Sequence, residues 1–310
     1  MKRLLAGLAA LALTAAPALA DWSPKGPINL YIGFGAGGET DTLGRLVAEE
    51  MKQSTGWNIV VDNKPGGGGM AMFTQLNKMP PTGQFLGMGV TMPVLVNLTI
   101  RPDEVPFTLD SFTYIGTVAL AELAIVAPAD APFDDLAGLI EFSKANGGAT
   151  IGFDAPPQKL LVDVVNAQSG ADMRLVSMES SAEAVQNLLG GHVTAAFNAG
   201  SHIPYLETGE LKMIAGANET RPSYSPDTPT VEEAGFGVYV DPWYYIAAPK
   251  GLPEEAQTAI GDALKAALDS DTVKTAIENT MHTEPVFKGP AETRAMMEAG
   301  LANVKTLFGK

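Results

Sequence analysis

The chain has 310 residues and no cysteine. Disulfide bonds, thiol nucleophiles and cysteine-ligated zinc are therefore excluded. Histidine is scarce as well, because only His192, His202 and His282 are present, in separate segments. Neither H-E-x-x-H nor G-x-S-x-G occurs, so the common signatures of zinc and serine hydrolases are missing. We predict no catalytic activity, no metal site and no cofactor.

Basic residues are also scarce relative to acidic ones. The 20 lysines and arginines face 35 aspartates and glutamates, which gives a net charge of −15. Nucleic acids and anionic membranes attract basic proteins, so neither is an expected partner. Solubility alone explains such acidity. An anionic ligand would have to be captured by local dipoles in a site that is shielded from the bulk charge.

A long apolar run occurs only at the N-terminus. Lys2 and Arg3 precede the apolar segment 4–13, and Ala-Leu-Ala at 18–20 has the small-x-small pattern of a signal peptidase site. The segment is shorter than the ~20 residues that span a bilayer. We predict a signal peptide over residues 1–20 and a periplasmic protein; a retained membrane anchor is the alternative.

Strand patterns alternate with helical patterns in the rest of the chain, which is typical of an α/β protein with mostly parallel sheets. A mature chain of roughly 290 residues is near the size at which one core divides, so two lobes are expected. We predict lobe 1 over 21–122 plus 230–310 and lobe 2 over 123–229, with a hinge between them. After a first strand that starts at Ile28, the predicted strands cover 57–61, 85–90, 114–118, 122–127, 150–153, 174–178, 193–197, 211–217 and 242–246.

A glycine-rich turn, 33–38, follows the first strand and precedes an amphipathic helix. Glycines let the backbone N–H groups approach a guest closely, and a helix N-terminus attracts anions through its dipole and unpaired N–H groups. Thr40 or Asp41 occupies the expected N-cap. This turn is the first candidate for an anion-binding site.

Three further turns follow predicted strands: glycines 66–69, Asp154 to Pro157, and Asn198 to Ser201. The ends of neighbouring parallel strands share one edge of a sheet, so glycines 66–69 are expected to line the same crevice as the first turn. The turn at Asp154 repeats the arrangement of the first: strand, tight turn and helix N-terminus. His202, beside the last of them, is expected to be partly exposed. Asp41 and Asp154 are better explained as helix caps than as a catalytic carboxylate pair.

The glycine turn also supports another hypothesis. The segment 33–38 fits G-x-G-x-x-G, and Asp62 ends the next strand, as in a dinucleotide-binding Rossmann fold. An exported oxidoreductase therefore remains an alternative. Glu39 and Asp41 count against it, because they place negative charge where a pyrophosphate would bind. The aromatic segment 243–245 is expected to pack at a lobe interface, with ligand stacking as the alternative.

Three sets of motifs carry a family resemblance. F-G-A-G-G-E-T-D (34–41), V-V-D-N-K-P-G-G-G-G (60–69), and T-P-T-V-E-E-A-G (228–235) with W-Y-Y-I-A-A-P-K-G-L-P (243–253) resemble the Bug-type solute receptors of tripartite tricarboxylate transporters. The likeness extends over essentially the whole mature chain.

This resemblance implies a two-lobed, type II-like periplasmic binding protein. Such a receptor closes on a small carboxylate, such as a di- or tricarboxylate or an aromatic acid, and presents it to membrane permease subunits; we expect a monomer. In the family, backbone N–H groups and water in the first glycine turn hold the carboxylate, and a turn of the second lobe completes the site. Matched to this chain, the candidate ligand-binding residues are Phe34, Ala36, Gly37, Gly38, Thr40, Asp41, Phe153, Asp154, Ala155, Met178, Asn198 and Ser201.

The chain also departs from the family pattern. Residues 153–158 replace a glycine- and serine-rich turn, and Met178-Glu179-Ser180 replaces a common Tyr-Lys-Gly. Both changes remove hydroxyl, imidazole or cationic groups from the second lobe. The resemblance therefore assigns no contact to the distal half of the ligand.

Overall fold

Two five-stranded sheets organise the computed structural model, which describes residues 22–281 and 283–307. The predicted signal peptide lies outside the described residues. The strands are β1 (Ile28–Ile32), β2 (Ile59–Asn63), β3 (Phe85–Val90), β4 (Phe112–Leu120), β5 (Leu123–Pro128), β6 (Thr150–Phe153), β7 (Arg174–Ser177), β8 (Ala195–Ala199), β9 (Leu211–Gly216) and β10 (Trp243–Pro249).

Helices cover both sheets. They are α1 (Glu39–Thr55), α2 (Met70–Leu76), α3 (Thr91–Ile100), α4 (Leu136–Ala145), α5 (Pro156–Ser169), α6 (Ser181–Leu189), α7 (Ile203–Glu207), α8 (Glu254–Asp269), α9 (Asp271–Met281) and α10 (Pro290–Leu307). No helix in the described ranges combines the length and hydropathy needed to cross a membrane.

The two sheets repeat one design. The first has the order β2-β1-β3-β10-β4 and the second the order β7-β6-β8-β5-β9. In the first sheet β10 is antiparallel to both its neighbours, and in the second sheet β5 is. Four strands of each sheet therefore run in one direction, which confirms the predicted α/β class with mostly parallel sheets. We refer to each sheet with its helices as a lobe.

Helix boundaries follow local sequence signals. Gly56 at φ 73° ends α1, and Gly170 at φ 73° ends α5. These left-handed conformations suit glycine because it lacks a Cβ. Pro156 and Pro157 occupy the first turn of α5, where a missing N–H costs nothing.

Each lobe has its own core. In the first, Val47 of α1 and Leu264 of α8 cover one face of the sheet, while Phe73 stacks on Tyr245 at the other, with ring centroids 5.5 Å apart. In the second lobe, buried side chains of α5 and α6 cover opposite faces.

Asn218 joins the two chain crossings between the lobes. Its side chain accepts a hydrogen bond from Leu123 N at 2.6 Å and donates to Ala121 O at 3.0 Å and to Asp241 Oδ1 at 3.1 Å. The segment before Asp241 packs on the second lobe through Val231 and Val240. The lobe limits given above, at 122/123 and 229/230, stay a prediction.

Candidate functional site between two helix N-termini

The glycine turn places the N-terminus of α1 at the contact between the lobes. Gly38, with φ −76° and ψ 170°, is the N-cap residue and provides no side-chain cap. The expectation that Thr40 or Asp41 caps this helix is therefore wrong, because both lie inside its first turn. An N-terminus without a side-chain cap leaves its first N–H groups available to a partner or ligand.

Asp41 orders the turn from behind. Its Oδ2 accepts a hydrogen bond from Gly37 N at 2.9 Å, and its Oδ1 accepts from Arg45 Nε at 2.9 Å and from Asn63 Nδ2 at 2.8 Å. Burial acts to raise the pKa of Asp41, but these donors outweigh it and hold the pKa below its usual value. The buried carboxylate thus fixes the turn without lining the cavity described below.

The second lobe presents the N-terminus of α6 to the same turn. Ser180 is its N-cap, and its side chain accepts from Glu183 N at 3.2 Å. Two hydrogen bonds join the lobes here: Gly35 N donates to Glu179 O at 3.0 Å, and Glu39 N donates to Ser181 Oγ at 3.3 Å. Two helix N-termini of different lobes therefore meet directly.

Asn198 supports the α6 turn from inside the second lobe. Its Nδ2 donates to Ser181 O at 2.7 Å, and its Oδ1 lies 3.1 Å from His202 Nδ1. His202 Nε2 in turn lies 3.0 Å from the hydroxyl of Tyr224. The expectation of a partly exposed His202 is wrong, because the residue is fully buried. Its two ring nitrogens have polar partners inside the protein, which offset the cost of burying the imidazole.

The turn before α5 contributes no comparable anion site. Pro156 and Pro157 lack N–H groups, and the side chain of Gln158 accepts from Asp154 N at 2.8 Å and from Ala155 N at 3.3 Å. Gln158 Nε2 also donates to Asp154 Oδ1 at 2.7 Å. The donors of this turn are therefore already used, and Asp154 precedes the cap position at Ala155 without capping the helix itself.

An inner cavity lies between the two lobes. It offers about 50 Å³ to the centres of water molecules; at ~10–15 Å³ each, about four waters fit. Its lining comprises Phe34, Gly38, Glu39, Thr40, Val90, Met92, Pro93, Ala121, Leu123, Asp154, Ala155, Pro157, Gln158, Ser180, Ser181, Ala199, Val240, Pro242 and Tyr244.

A wider outer cleft adjoins the cavity and shares Phe34 and Asp154 with it. On the same measure it offers about 750 Å³. Its cations, Arg101 and Lys159, are paired with acids of their own: Lys159 Nζ lies 2.7 Å from Asp163 Oδ2, and Arg101 lies 3.9 Å from Glu104.

Glu39 is the most unusual group in the cavity. It is 5% exposed, and its Oε2 accepts from the hydroxyl of Tyr244 at 2.6 Å. Burial raises the pKa of Glu39 to about 8; the Tyr244 hydrogen bond opposes the rise, and Glu122 and Asp154 add to it. Gly200 packs against this carboxyl from the second lobe, where a Cβ would lie 3.0 Å from Glu39 Cδ.

Asp154 is the second acidic group of the lining. Burial raises its pKa to about 6, although the hydrogen bonds from Gln158 and from its own backbone N–H oppose the rise. The cavity therefore holds two carboxyl groups that ionise less readily than usual.

The predicted site residues do not all lie in one cavity. Phe34, Gly38, Thr40, Asp154 and Ala155 line the inner cavity. Phe153 and Met178 line the outer cleft, and Gly37 and Ser201 line a further opening, which Glu39 also lines. Asp41 and Asn198 lie behind the two N-termini, and Ala36 is exposed. Their roles in ligand binding stay predictions.

Sequence reasoning did not select Glu39, Ser181 or Tyr244 as binding residues. Glu39 was considered only as a charge that disfavours a pyrophosphate, although its place beside the N-cap was a usable signal. Tyr244 belongs to the aromatic segment assigned to core packing. The expected place was a lobe interface, but Tyr245 packs inside the first lobe against Phe73, whereas Tyr244 lines the cavity between the lobes.

No group of three or more histidines, aspartates and glutamates within the described ranges is arranged to hold a metal ion.

Comparisons with known proteins identify the family of the chain. The family model described as "Tripartite tricarboxylate transporter family receptor" matches residues 43–308. A Cupriavidus necator relative, "UPF0065 protein in gbd 5'region", is 32% identical over 271 residues, which cover 85% of this chain and 82% of the relative. Protein BugT of Bordetella pertussis is 29% identical over 310 residues, 96% of this chain and 94% of its own.

Solved structures show the same architecture. The periplasmic binding protein BugD has a TM-score of 0.85 and 25% identity, with 93% of this chain and 98% of that chain covered. R. palustris Rpa4515 with adipate has a TM-score of 0.83 and 25% identity, with 93% and 99% covered. Because the family model spans most of its length, the chain belongs to the receptor family of the tripartite tricarboxylate transporters.

Proposed function

We propose that this protein is a periplasmic solute receptor that captures a small carboxylate between its lobes and delivers it to the permease subunits of a tripartite tricarboxylate transporter. One observation carries the proposal: the N-termini of α1 and α6, from different lobes, meet beside a cavity between the lobes. Each N-terminus supplies N–H groups and the positive end of a helix dipole. Adipate in the R. palustris relative supports the ligand class.

Closure supplies the mechanism. A carboxylate that contacts both N-termini makes its full set of hydrogen bonds only when the lobes are together, so it stabilises the closed form. Charge-assisted hydrogen bonds contribute roughly 1.5–3 kcal/mol each. Three of them at the upper value give about 9 kcal/mol before ordering costs, close to the ~8 kcal/mol that micromolar affinity requires. We propose that the receptor acts as a monomer.

The dinucleotide alternative fits this site poorly. A pyrophosphate would need the N-terminus of α1, where the buried carboxyl of Glu39 already lies. Gly35 donates its N–H to Glu179 of the other lobe, and Gly38 packs near Ser180. We therefore propose no oxidoreductase activity.

A thermal-shift screen with mono- and dicarboxylates, amino acids included, tests the proposal. We expect at least one member to raise the melting temperature, with the rise growing with ligand concentration. The proposal is contradicted if no carboxylate stabilises the protein.

A glycine pair shows whether any stabilisation depends on the lobe contact. A Cβ at Gly38 would lie 3.1 Å from Ser180 Cβ, whereas one at Gly261 on α8 would lie 3.9 Å from its nearest neighbour, Ile115 O. Gly38→Ala should therefore weaken binding several-fold, and Gly261→Ala should leave it unchanged. Equal affinities in the two variants would argue against binding at this contact.

A further inference from the structure

The inner cavity is acidic in its side chains. The charged residues of its lining are Glu39 and Asp154, and none of the described lining residues is a lysine, arginine or histidine. The only positive potential comes from the backbone at the two helix N-termini. Such a cavity suits one carboxylate at the N–H groups but supplies no cation for a second one.

Glu39 has an incomplete set of partners. Its Oε2 accepts from Tyr244, while its Oε1 has no hydrogen-bond donor within the part of the chain that the structure describes. The residue is nevertheless 95% buried, since only 5% of it is exposed. An ionised buried carboxylate that accepts a single hydrogen bond is costly, so Glu39 is a natural acceptor for a donor carried by the ligand.

The titratable groups around Glu39 are acids and phenols. Asp154 and Glu122 raise its pKa by charge repulsion. Tyr244 of β10 donates to it, and Tyr224, which is bonded to His202, is near enough for Glu39 to raise its pKa. Arg45, on the same helix, is directed to Asp41 and Asn63 instead.

We propose that this receptor selects ligands that carry an ammonium group as well as a carboxylate, and that Glu39 binds the ammonium group. The inference rests on the proposed capture of a carboxylate at the helix N-termini. An ammonium group supplies the missing donor and the missing positive charge at once. A dicarboxylate would instead place a second negative charge against Glu39 and Asp154, which disfavours it.

The competing arrangement is a protonated Glu39 that donates to a ligand carboxylate. The two arrangements differ in proton linkage. With the lobes in contact and no ligand bound, Glu39 has a pKa of about 8 and is mostly protonated at neutral pH. An ammonium ligand lowers this pKa and expels the proton, whereas a carboxylate ligand raises it and retains the proton. Proton release on binding therefore separates them.

The first experiment measures affinities by isothermal titration calorimetry for two series that differ in one terminal group. One series is β-alanine, butyrate and succinate; the other is γ-aminobutyrate, valerate and glutarate. We expect at least one amino member to bind roughly tenfold or more tightly than its methyl and carboxylate counterparts. If succinate or glutarate binds as tightly as its amino counterpart, the ammonium assignment is wrong while carboxylate capture stands. If no member binds although a carboxylate without an amino group stabilises the protein in the thermal-shift screen, the ammonium assignment is wrong and carboxylate capture stands.

A matched pair of variants ties the preference to one residue. Glu39→Gln keeps an acceptor for Tyr244 and removes the charge, so the preference for the amino member should fall to within about twofold. Glu50→Gln removes a charge on the same helix away from the cavity and should keep the preference. An unchanged preference in Glu39→Gln would overturn the assignment, provided that its melting temperature shows a folded protein.

The second experiment titrates the preferred amino ligand at pH 7 in two buffers with different ionisation enthalpies. We expect the release of close to one proton from the wild type and close to none from Glu39→Gln. Net proton uptake by the wild type, or the same release from both proteins, would contradict a contact between the ammonium group and Glu39.

Discussion

The two sides of the first turn of α1 hold carboxyl groups with opposite properties. Asp41, on the side of β2, accepts three hydrogen bonds, and its pKa lies below the usual value. Glu39, two residues earlier and facing the other lobe, accepts one, and its pKa is raised to about 8. Little of either residue is exposed to solvent. Burial acts to raise the pKa of both; the three donors of Asp41 outweigh it, whereas the single donor of Glu39 does not.

The difference separates structural from binding roles. The hydrogen bonds of Asp41 are complete, because each of its carboxylate oxygens has a donor within the first lobe. Asp41 therefore holds the turn in place. The Glu39 side has unused acceptor capacity in a cavity between lobes. Buried polar groups are normally satisfied, so the unsatisfied side is where a ligand is expected.

The largest expected effect comes from Glu39→Gln in the unliganded protein. Glu39 has an ordinary pKa of 4.5 when unfolded and about 8 when folded. The folded state therefore binds more protons, and wild-type stability falls as the pH rises between these values. The Glu39→Gln variant does not lose stability in this way, because glutamine does not titrate. Its free energy of unfolding relative to the wild type should rise by about 3 kcal/mol between pH 5 and pH 8.

Urea denaturation at several pH values measures this difference. Glu50→Gln serves as the control. The difference between its free energy of unfolding and that of the wild type should stay constant across this pH range. A constant difference between Glu39→Gln and the wild type would show that Glu39 titrates normally, and the contrast between the two sides would disappear.

Asp41→Ala is expected to have the next largest effect, about 2–3 kcal/mol at neutral pH. It leaves the side chain of Asn63 and the N–H of Gly37 without their acceptor. The folded pKa of Asp41 lies below its ordinary value of 3.8. Its contribution is therefore complete above that value and is lost as the pH falls through the folded pKa.

The same urea titrations should show the Asp41→Ala penalty shrinking below pH 4, opposite in direction to the Glu39 effect. Ligand affinity should weaken too, because the turn loses its support. A stability loss with unchanged affinity would make Asp41 a purely structural residue.

Arg45→Ala should have the smallest effect, about 0.5 kcal/mol. Its side chain is 49% exposed, and solvent screens its pairing with Asp41. Asn63 and Gly37 still donate to Asp41 after this change. Chemical denaturation at low and high salt measures this loss of stability. A loss as large as that of Asp41→Ala would mean that the arginine, rather than the buried donors, keeps Asp41 charged.

Much of the fold could be predicted because its signals are local. The strands from Ile28, at 85–90 and at 150–153 were identified from apolar runs, and the ends of α1 and α5 have glycines at the expected positions. Helix α3 was missed, because residues 91–100 are apolar on all sides and show no amphipathic period. Its burial between sheet and neighbouring helices explains that composition.

The site was predictable only in part. The glycine turn was identified because strand, glycines and helix follow one another in the sequence. The partner turn at Ser180 and Ser181 was not, since it approaches Glu39 from a different lobe and 142 positions away. His202 was misjudged for the same reason: its partners, Asn198 and Tyr224, decide its burial.

By itself, the sequence determined the α/β class, the family resemblance and the presence of a helix N-terminus able to attract an anion, because these depend on composition, periodicity and neighbouring residues. Only the tertiary structure decided which acid beside that N-terminus keeps its charge. Ionisation depends on solvent and donors within a few ångströms of the group. For Asp41 those surroundings include Asn63 of β2; for Glu39 they include Tyr244 of β10 and Gly200 of the facing lobe.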